Sequence, residues 1–119
     1  MICPYCNSHP KLVNGEAIYP YREDLHKKYF WLCFECNAYV GCHPGGKKPL
    51  GRLANAELRG YKSAAHAAFD PSWKDRWMSR SDAYKWLSER LGIKKEDCHI
   101  GMFDIDMCKK VIEVCSYAP

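Results

Sequence analysis

Four of the eight cysteines form two Cys-x-x-Cys pairs, and their spacing constrains the fold more than any other feature of the chain. The pairs are Cys3/Cys6 and Cys33/Cys36, separated by residues 7–32. Each pair lets two thiolates reach one ion from a tight turn, and two pairs complete the tetrahedral shell that Zn²⁺ prefers in structural sites. The four cysteines therefore predict one structural zinc ion and a zinc ribbon over residues 1–43.

The cysteines of the chain also allow a redox pair, an iron site or a second metal site. A thioredoxin-like redox pair needs a βαβ context and one Cys-x-x-Cys rather than two. A rubredoxin-type iron site uses the same ligands, and spacing alone does not distinguish it from zinc. Cys42/His43 and Cys98/His99 are candidates for a second metal site. We interpret these two cysteines as packing residues instead, because free cysteine is commonly buried.

Length and composition are those of a small globular protein. The chain has 119 residues, of which 47% are hydrophobic. Residues 1–119 are expected to form one domain in which the ribbon (1–43) packs with a helical part (53–119). No apolar stretch approaches the roughly 20 residues that span a bilayer, so no membrane contact is expected. A ligand at position 3 leaves no room for a signal peptide, which predicts a cytoplasmic, reducing setting.

The first third of the chain has the pattern of β structure. Asn14-Gly15 is typical of a hairpin turn, which predicts strands over 11–13 and 16–19. The aromatic run 29–32 and the run 38–40 after the second cysteine pair also favour strands.

Helices are predicted for the rest of the chain. Apolar residues keep helical spacing over 55–69. Ser79 and Asp82 form a capping box for a second helix that Gly92 would end, and Asp104 suits the N-cap of a third. The predicted fold class is α+β: a zinc ribbon of β-hairpins with two Cys-x-x-Cys knuckles, followed by about three α-helices.

Aromatic and basic residues of the ribbon and the adjacent loop are candidate contacts for a partner. Tyr29 and Trp31 share one face of their strand, because neighbouring side chains alternate. That face could stack on bases, or it could be covered within the folded domain. The following Gly- and Pro-rich loop carries Lys47, Lys48 and Arg52, which suit phosphate contacts unless this is simply a solvated connection.

A second basic run, in the helical part, contains Arg76 and Arg80 beside Trp73 and Trp77. Such a mixed surface suits phosphates and bases or a protein partner, and an ordinary charged helix face has the same composition. The formal net charge of +4 is too small to imply nucleic acid by itself.

Three longer motifs carry a family resemblance: Cys3-Pro-Tyr-Cys6, Cys33-x-x-Cys36-Asn-Ala-Tyr-Val-Gly-Cys-His-Pro-Gly45 and Cys98-His-Ile-Gly-Met-Phe-Asp104. With them the chain resembles a family of small bacterial and phage proteins described as a zinc-finger-containing domain of unknown function. The resemblance covers nearly the whole chain. It implies zinc on the four paired cysteines and a phage or mobile-element origin, and it implies no activity.

The sequence thus favours a binding protein over an enzyme, with no small-molecule substrate evident. The first hypothesis is a non-catalytic zinc-binding module that contacts nucleic acid through the ribbon and the adjacent basic loop. The second is a phage or mobile-element protein that binds and modulates or inhibits a host protein complex in the host cytoplasm. The third, which the sequence favours least, is a metal-dependent nuclease using His99, Asp104 or Asp106.

Overall fold

The computed structural model of the chain describes residues 1–75 and 78–116, which fall into two compact units, Met1–Glu57 and Leu58–Pro119. The first unit contains a three-stranded sheet and the second contains most of the helical structure, which confirms the α+β class. The packing of the two units into one domain stays a prediction. The strands are β1 (Lys11–Asn14), β2 (Tyr29–Cys33) and β3 (Ala38–Gly41), and the helices are α1 (Ala56–Phe69), α2 (Pro71–Lys74), α3 (Arg80–Leu91) and α4 (Ile105–Ser116).

The sheet is antiparallel, with β2 in the centre and β1 and β3 on either side. Its register places Leu12, Trp31 and Val40 side by side. Cys33 pairs with Ala38 at the end of β2, and both are buried. Side chains alternate between the two faces of β2, so Cys33 lies on the same face as Trp31. This face therefore carries one of the paired cysteines at its end.

The predicted hairpin at Asn14-Gly15 is wrong. Gly15 starts a short 3₁₀ turn (Gly15–Ala17), 16–19 is not a strand, and β1 pairs with β2 instead. Gly15 is buried, its N–H donates to the Lys28 carbonyl at 2.8 Å, and a Cβ at this position would collide with the carbonyl of Leu25. Glycine is needed here for a close approach of two backbone segments, not for the positive φ of a hairpin turn.

The predicted helix boundaries are confirmed. Helix α1 spans Ala56–Phe69, within one residue of the predicted range. The Ser79 hydroxyl accepts the Asp82 N–H at 3.0 Å at the start of α3, and Gly92 ends that helix with φ 70°. The Asp104 carboxylate accepts the Met107 N–H at 2.9 Å at the start of α4. The sequence did not predict α2, which begins at Pro71, a residue well suited to the first turn of a helix.

The core of the second unit is built from apolar side chains of the three longer helices. Its largest fully buried members in those helices are Leu58, Phe69, Leu87 and Val111. Phe103 and Cys108, on either side of the start of α4, are both buried. Within the described ranges, no helix has the length and apolar character needed to cross a membrane.

Candidate metal centre

The four paired cysteines converge on one point of the first unit. The Sγ atoms of Cys3, Cys6, Cys33 and Cys36 all lie within 4.8 Å of one another, and those of Cys6 and Cys33 are 3.6 Å apart. Cys3 and Cys6 precede β1, Cys33 ends β2, and Cys36 lies in the turn before β3. The antiparallel sheet therefore brings together two turns that are distant in the sequence.

Both turns end in the same unusual backbone conformation. Asn7 directly follows Cys6 and has φ 63°, and Asn37 directly follows Cys36 and has φ 49°. Asparagine enters this left-handed region more readily than most residues, so it suits the reversal that turns both thiols inwards. The first turn is closed by an N–H to carbonyl bond from Asn7 to Cys3 at 2.9 Å. The Cys-x-x-Cys-Asn repeat is present in the sequence, although our interpretation of the sequence did not use it.

The electrostatics of the cluster favour a bound cation. Hydrogen bonds from the side chain and backbone of Ser8 lower the pKa of the Cys6 thiol to about 6. The hydrogen bond with Cys6, followed by burial, raises the pKa of the Cys36 thiol to about 12. One thiolate in the cluster thus makes ionisation of its neighbour harder. Four thiolates at these distances need a divalent ion between them, and sulfur is a preferred ligand of zinc.

The surroundings of the cluster fit a structural site. Cys3 and Cys33 are buried, whereas Cys6 and Cys36 are partly exposed. Cys3 and Cys33 belong to a buried apolar cluster with Ala38 and Leu53, against which Trp31 and Val40 pack. Four sulfur ligands would leave no coordination position for water or substrate. The four cysteines therefore fit one structural Zn²⁺, as predicted.

The other metal-ligand candidates are placed differently. Among the described residues, the four cysteines are the one group of three or more potential ligands whose ligand atoms come together. Burial raises the pKa of the Cys42 and Cys98 thiols, as expected for packing residues that stay protonated. His99 and Asp106 form no such group with Asp104, whose carboxylate caps α4.

Three of the candidate contact residues of the ribbon and the loop lie together, namely Tyr29, Trp31 and Lys47. The Trp31 indole N–H donates to the Lys47 carbonyl at 2.7 Å, which fastens the loop to β2. The Lys47 ammonium lies 5.9 Å from the centre of the Tyr29 ring. Lys48 is exposed, and its carbonyl accepts the His43 N–H at 2.9 Å within the same loop. Arg52 is half-buried.

The structure describes one of the two candidate arginines of the helical part, Arg80. Arg80 is the first residue of α3, and its guanidinium carbon lies 5.6 Å from the Trp73 ring centre and 5.1 Å from that of Tyr84. The contact of Arg80 with Trp73 depends on how α2 and α3 pack, whereas Tyr84 is the i, i+4 neighbour of Arg80 on α3. Our interpretation of the sequence did not include the Tyr84 contact. Arg76 and Trp77 lie outside the described residues.

Ser8 is a supporting residue of the metal centre. We expect Ser8→Ala to weaken zinc affinity about tenfold, because its hydroxyl donates to the Cys6 sulfur and outer-shell hydrogen bonds orient and stabilise ligands. Competition with a chromophoric chelator measures this change. Ser63→Ala, on the exposed side of α1, is the matched control and should leave the affinity unchanged. Equal affinities for both variants would show that the Ser8 hydroxyl does not support the thiolate.

Comparison with known proteins agrees with this geometry. No curated protein and no solved structure matches the chain. The family model described as a zinc-finger-containing domain matches residues 1–117, which include all four clustered cysteines. The chain therefore belongs to the family of proteins with this zinc-finger-containing domain.

Proposed function

We propose that the protein is a non-catalytic zinc-binding module that contacts single-stranded nucleic acid through its ribbon and the adjacent basic loop. We call this area the ribbon–loop surface and define it by Tyr29, Trp31, Lys47, Lys48 and Arg52. The observation that carries the proposal is the hydrogen bond from the Trp31 indole to the Lys47 carbonyl, which holds a lysine beside an exposed aromatic ring.

The chemistry of this surface suits unpaired bases and their phosphates. Tyr29 is 40% exposed, so part of its ring is open to stacking by a base. Lys47 and Lys48 are exposed and can neutralise phosphates of the same strand. Trp31 is half-buried and its N–H is already bonded, so we assign it the role of holding the loop rather than stacking. Stacking on Tyr29 requires a base that is not paired, which favours a single strand over a duplex.

The zinc site helps to hold the ribbon–loop surface in place. Trp31 and Val40 pack against the cluster of Cys3 and Cys33, and Trp31 in turn bonds the loop. The ion would fix the end of β2, and β2 carries both aromatic residues of the surface. The metal thus has a structural role here and takes no part in any reaction.

The proposal is tested by fluorescence anisotropy with a labelled homothymidine strand, measured over a range of salt concentrations. Tyr29→Ala should weaken binding about tenfold, because base–aromatic stacking contributes about 1–3 kcal/mol per base. Lys47→Gln should reduce the slope of log affinity against log salt by about 0.7, the value for one phosphate contact on a single strand. Tyr21→Ala is the matched control, since Tyr21 is 96% exposed and lies outside this surface.

A wild-type protein that does not bind the strand, or binds it independently of salt, contradicts the proposal. A Tyr21→Ala variant as weak as Tyr29→Ala would likewise show that the ribbon–loop surface is not the contact.

A protein partner is the second candidate function, and one observation favours it. The side chains of Ile2, Tyr5 and Phe34 on or beside the two cysteine turns are exposed, and Phe34 is 65% exposed. Exposed apolar side chains of this size are common at protein contacts. If the nucleic-acid experiment fails, the cysteine turns become the proposed contact of a phage or mobile-element protein with a host protein complex in the host cytoplasm.

A further inference from the structure

A cluster of aromatic and basic side chains in the second unit has no part in the metal centre or in the ribbon–loop surface. It comprises Trp73, Lys74, Arg80 and Tyr84, and we call it the Arg80 cluster. The Arg80 guanidinium contacts both the Trp73 and Tyr84 rings at cation–π distances. The Lys74 ammonium lies 5.5 Å from the centre of the Trp73 ring.

The two rings that contact Arg80 are themselves held in place. The Tyr84 ring packs edge-to-face on fully buried Phe69, with 4.7 Å between ring centres. The Trp73 indole N–H donates to the Asp70 carboxylate at 3.3 Å. An arginine that rests on two anchored rings has lost much of its side-chain freedom before any ligand arrives, so binding through it costs less conformational entropy.

The donors of Arg80 are largely left for a ligand. No carboxylate in the described part of the chain forms an ion pair with Arg80, although the Tyr84 hydroxyl lies within hydrogen-bond reach of it. The nearby Asp70 carboxylate is engaged with Trp73, His66 and Lys74. Arginine presents its N–H groups in a planar fork that matches the oxygens of a phosphate, and contact of its face with rings leaves that edge open.

A third cation, after Arg80 and Lys74, lies close to the first turn of α3. The Lys95 ammonium donates to the hydroxyl of Ser81, the residue next to Arg80, at 2.8 Å. The surface around Arg80 therefore carries cationic side chains from α2, α3 and the segment after α3, of which Lys74 also faces the Asp70 carboxylate. The Trp73 ring already holds two cations, which leaves little of its face for a base. These features suit an anionic backbone rather than stacked bases.

We propose that the Arg80 cluster is a second nucleic-acid contact, at which Arg80 clamps a backbone phosphate of the strand through two N–H groups. The identity of the ligand rests on the proposed function, and the cluster extends that function to the second unit. The two surfaces make different kinds of contact with the strand. The ribbon–loop surface stacks a base on Tyr29, and the Arg80 cluster binds phosphate without regard to base sequence.

The test uses the zinc-loaded full chain and the labelled homothymidine strand. Arg80→Lys keeps the charge but loses the planar fork, so affinity should fall about tenfold while the salt slope stays unchanged. Arg80→Gln should lose at least as much affinity and also reduce the salt slope by about 0.7. Trp73→Leu, which removes one supporting ring, should weaken binding in the same direction. Lys85→Gln is the matched control, because it removes an exposed charge from α3 outside the cluster, and its affinity should stay within about twofold of wild type.

The outcomes separate this inference from the proposed function. The clamp is overturned if Arg80→Lys binds the strand as tightly as wild type. It is also overturned if Lys85→Gln and Arg80→Gln lose equal amounts of affinity. Weakened binding by Tyr29→Ala with no effect of the Arg80 variants supports the ribbon–loop surface and overturns only this inference. The reverse pattern supports the Arg80 cluster and overturns the ribbon–loop surface. A wild-type chain with no affinity for the strand overturns both.

Discussion

Replacing Cys33 with serine is expected to abolish stoichiometric zinc binding and to unfold the three-stranded sheet. Cys33 is a buried ligand at the end of β2, and its sulfur lies 3.6 Å from that of Cys6. A missing ligand should weaken zinc affinity beyond the 10–100-fold that loss of an outer-shell partner costs. Because the binding free energy of a structural zinc is also folding free energy, the sheet should be lost with the ion. Zinc content after gel filtration and amide hydrogen exchange over residues 11–41 measure the two effects.

Cys42→Ser is the matched control for this substitution. Cys42 follows β3 closely and is half-buried, but its thiol does not belong to the four-cysteine cluster. The variant should keep one zinc per chain and a protected sheet. Loss of zinc from Cys42→Ser, or a protected sheet in Cys33→Ser, would show that the ligand set is wrong.

Phe69→Ala is expected to destabilise the second unit by about 3–5 kcal/mol. Phe69 is 0% exposed at the end of α1, and its ring packs on Tyr84 of α3. Removing the ring would leave a cavity between elements whose side chains hold each other in place. Urea denaturation followed by the helical circular dichroism signal measures the loss.

Phe34→Ala removes the same ring from a position that is 65% exposed. Its effect on the free energy of unfolding should stay within about 0.5 kcal/mol, as for most surface substitutions. A Phe69→Ala variant as stable as Phe34→Ala would mean that the Phe69 ring does not lie in a closed core.

The metal centre was predictable because the residue pattern that specifies its ligands is local in the sequence. Two thiols three residues apart, repeated once, specify both the ligands and the number of ions, and the fold has only to bring the two turns together. The starts of α3 and α4 were predictable for the same reason, since Ser79 and Asp104 each bond an N–H three residues ahead.

The path of residues 15–28 was not predictable from local pattern. Asn14-Gly15 is typical of a hairpin turn. Glycine is needed at position 15, however, because a Cβ there would collide with the carbonyl of Leu25, ten positions along the chain. The sequence shows that a glycine is present but not which of its two properties is used, the free φ or the missing Cβ. Only the tertiary approach of the two segments decides between them.

The candidate contact surfaces were predictable as residue types but not as arrangements. The sequence indicated Tyr29, Trp31 and Lys47 as contacts, and it did not show that Trp31 would bond the Lys47 carbonyl, sixteen positions away. It indicated Arg80 beside tryptophan, and the contact with Tyr84 is that of i, i+4 neighbours on α3, which helical periodicity could have shown. The contacts of Trp31 with Lys47 and of Arg80 with Trp73 depend instead on tertiary packing, which propensity and periodicity do not encode.

The central claim is a closed zinc site formed by Cys3, Cys6, Cys33 and Cys36. X-ray absorption at the zinc edge, together with metal content per chain, tests it most directly. We expect one zinc per chain with four sulfur ligands at about 2.3 Å and no nitrogen or oxygen ligand. A nitrogen or oxygen in the shell, a second zinc per chain, or iron in place of zinc would contradict this account of the metal centre.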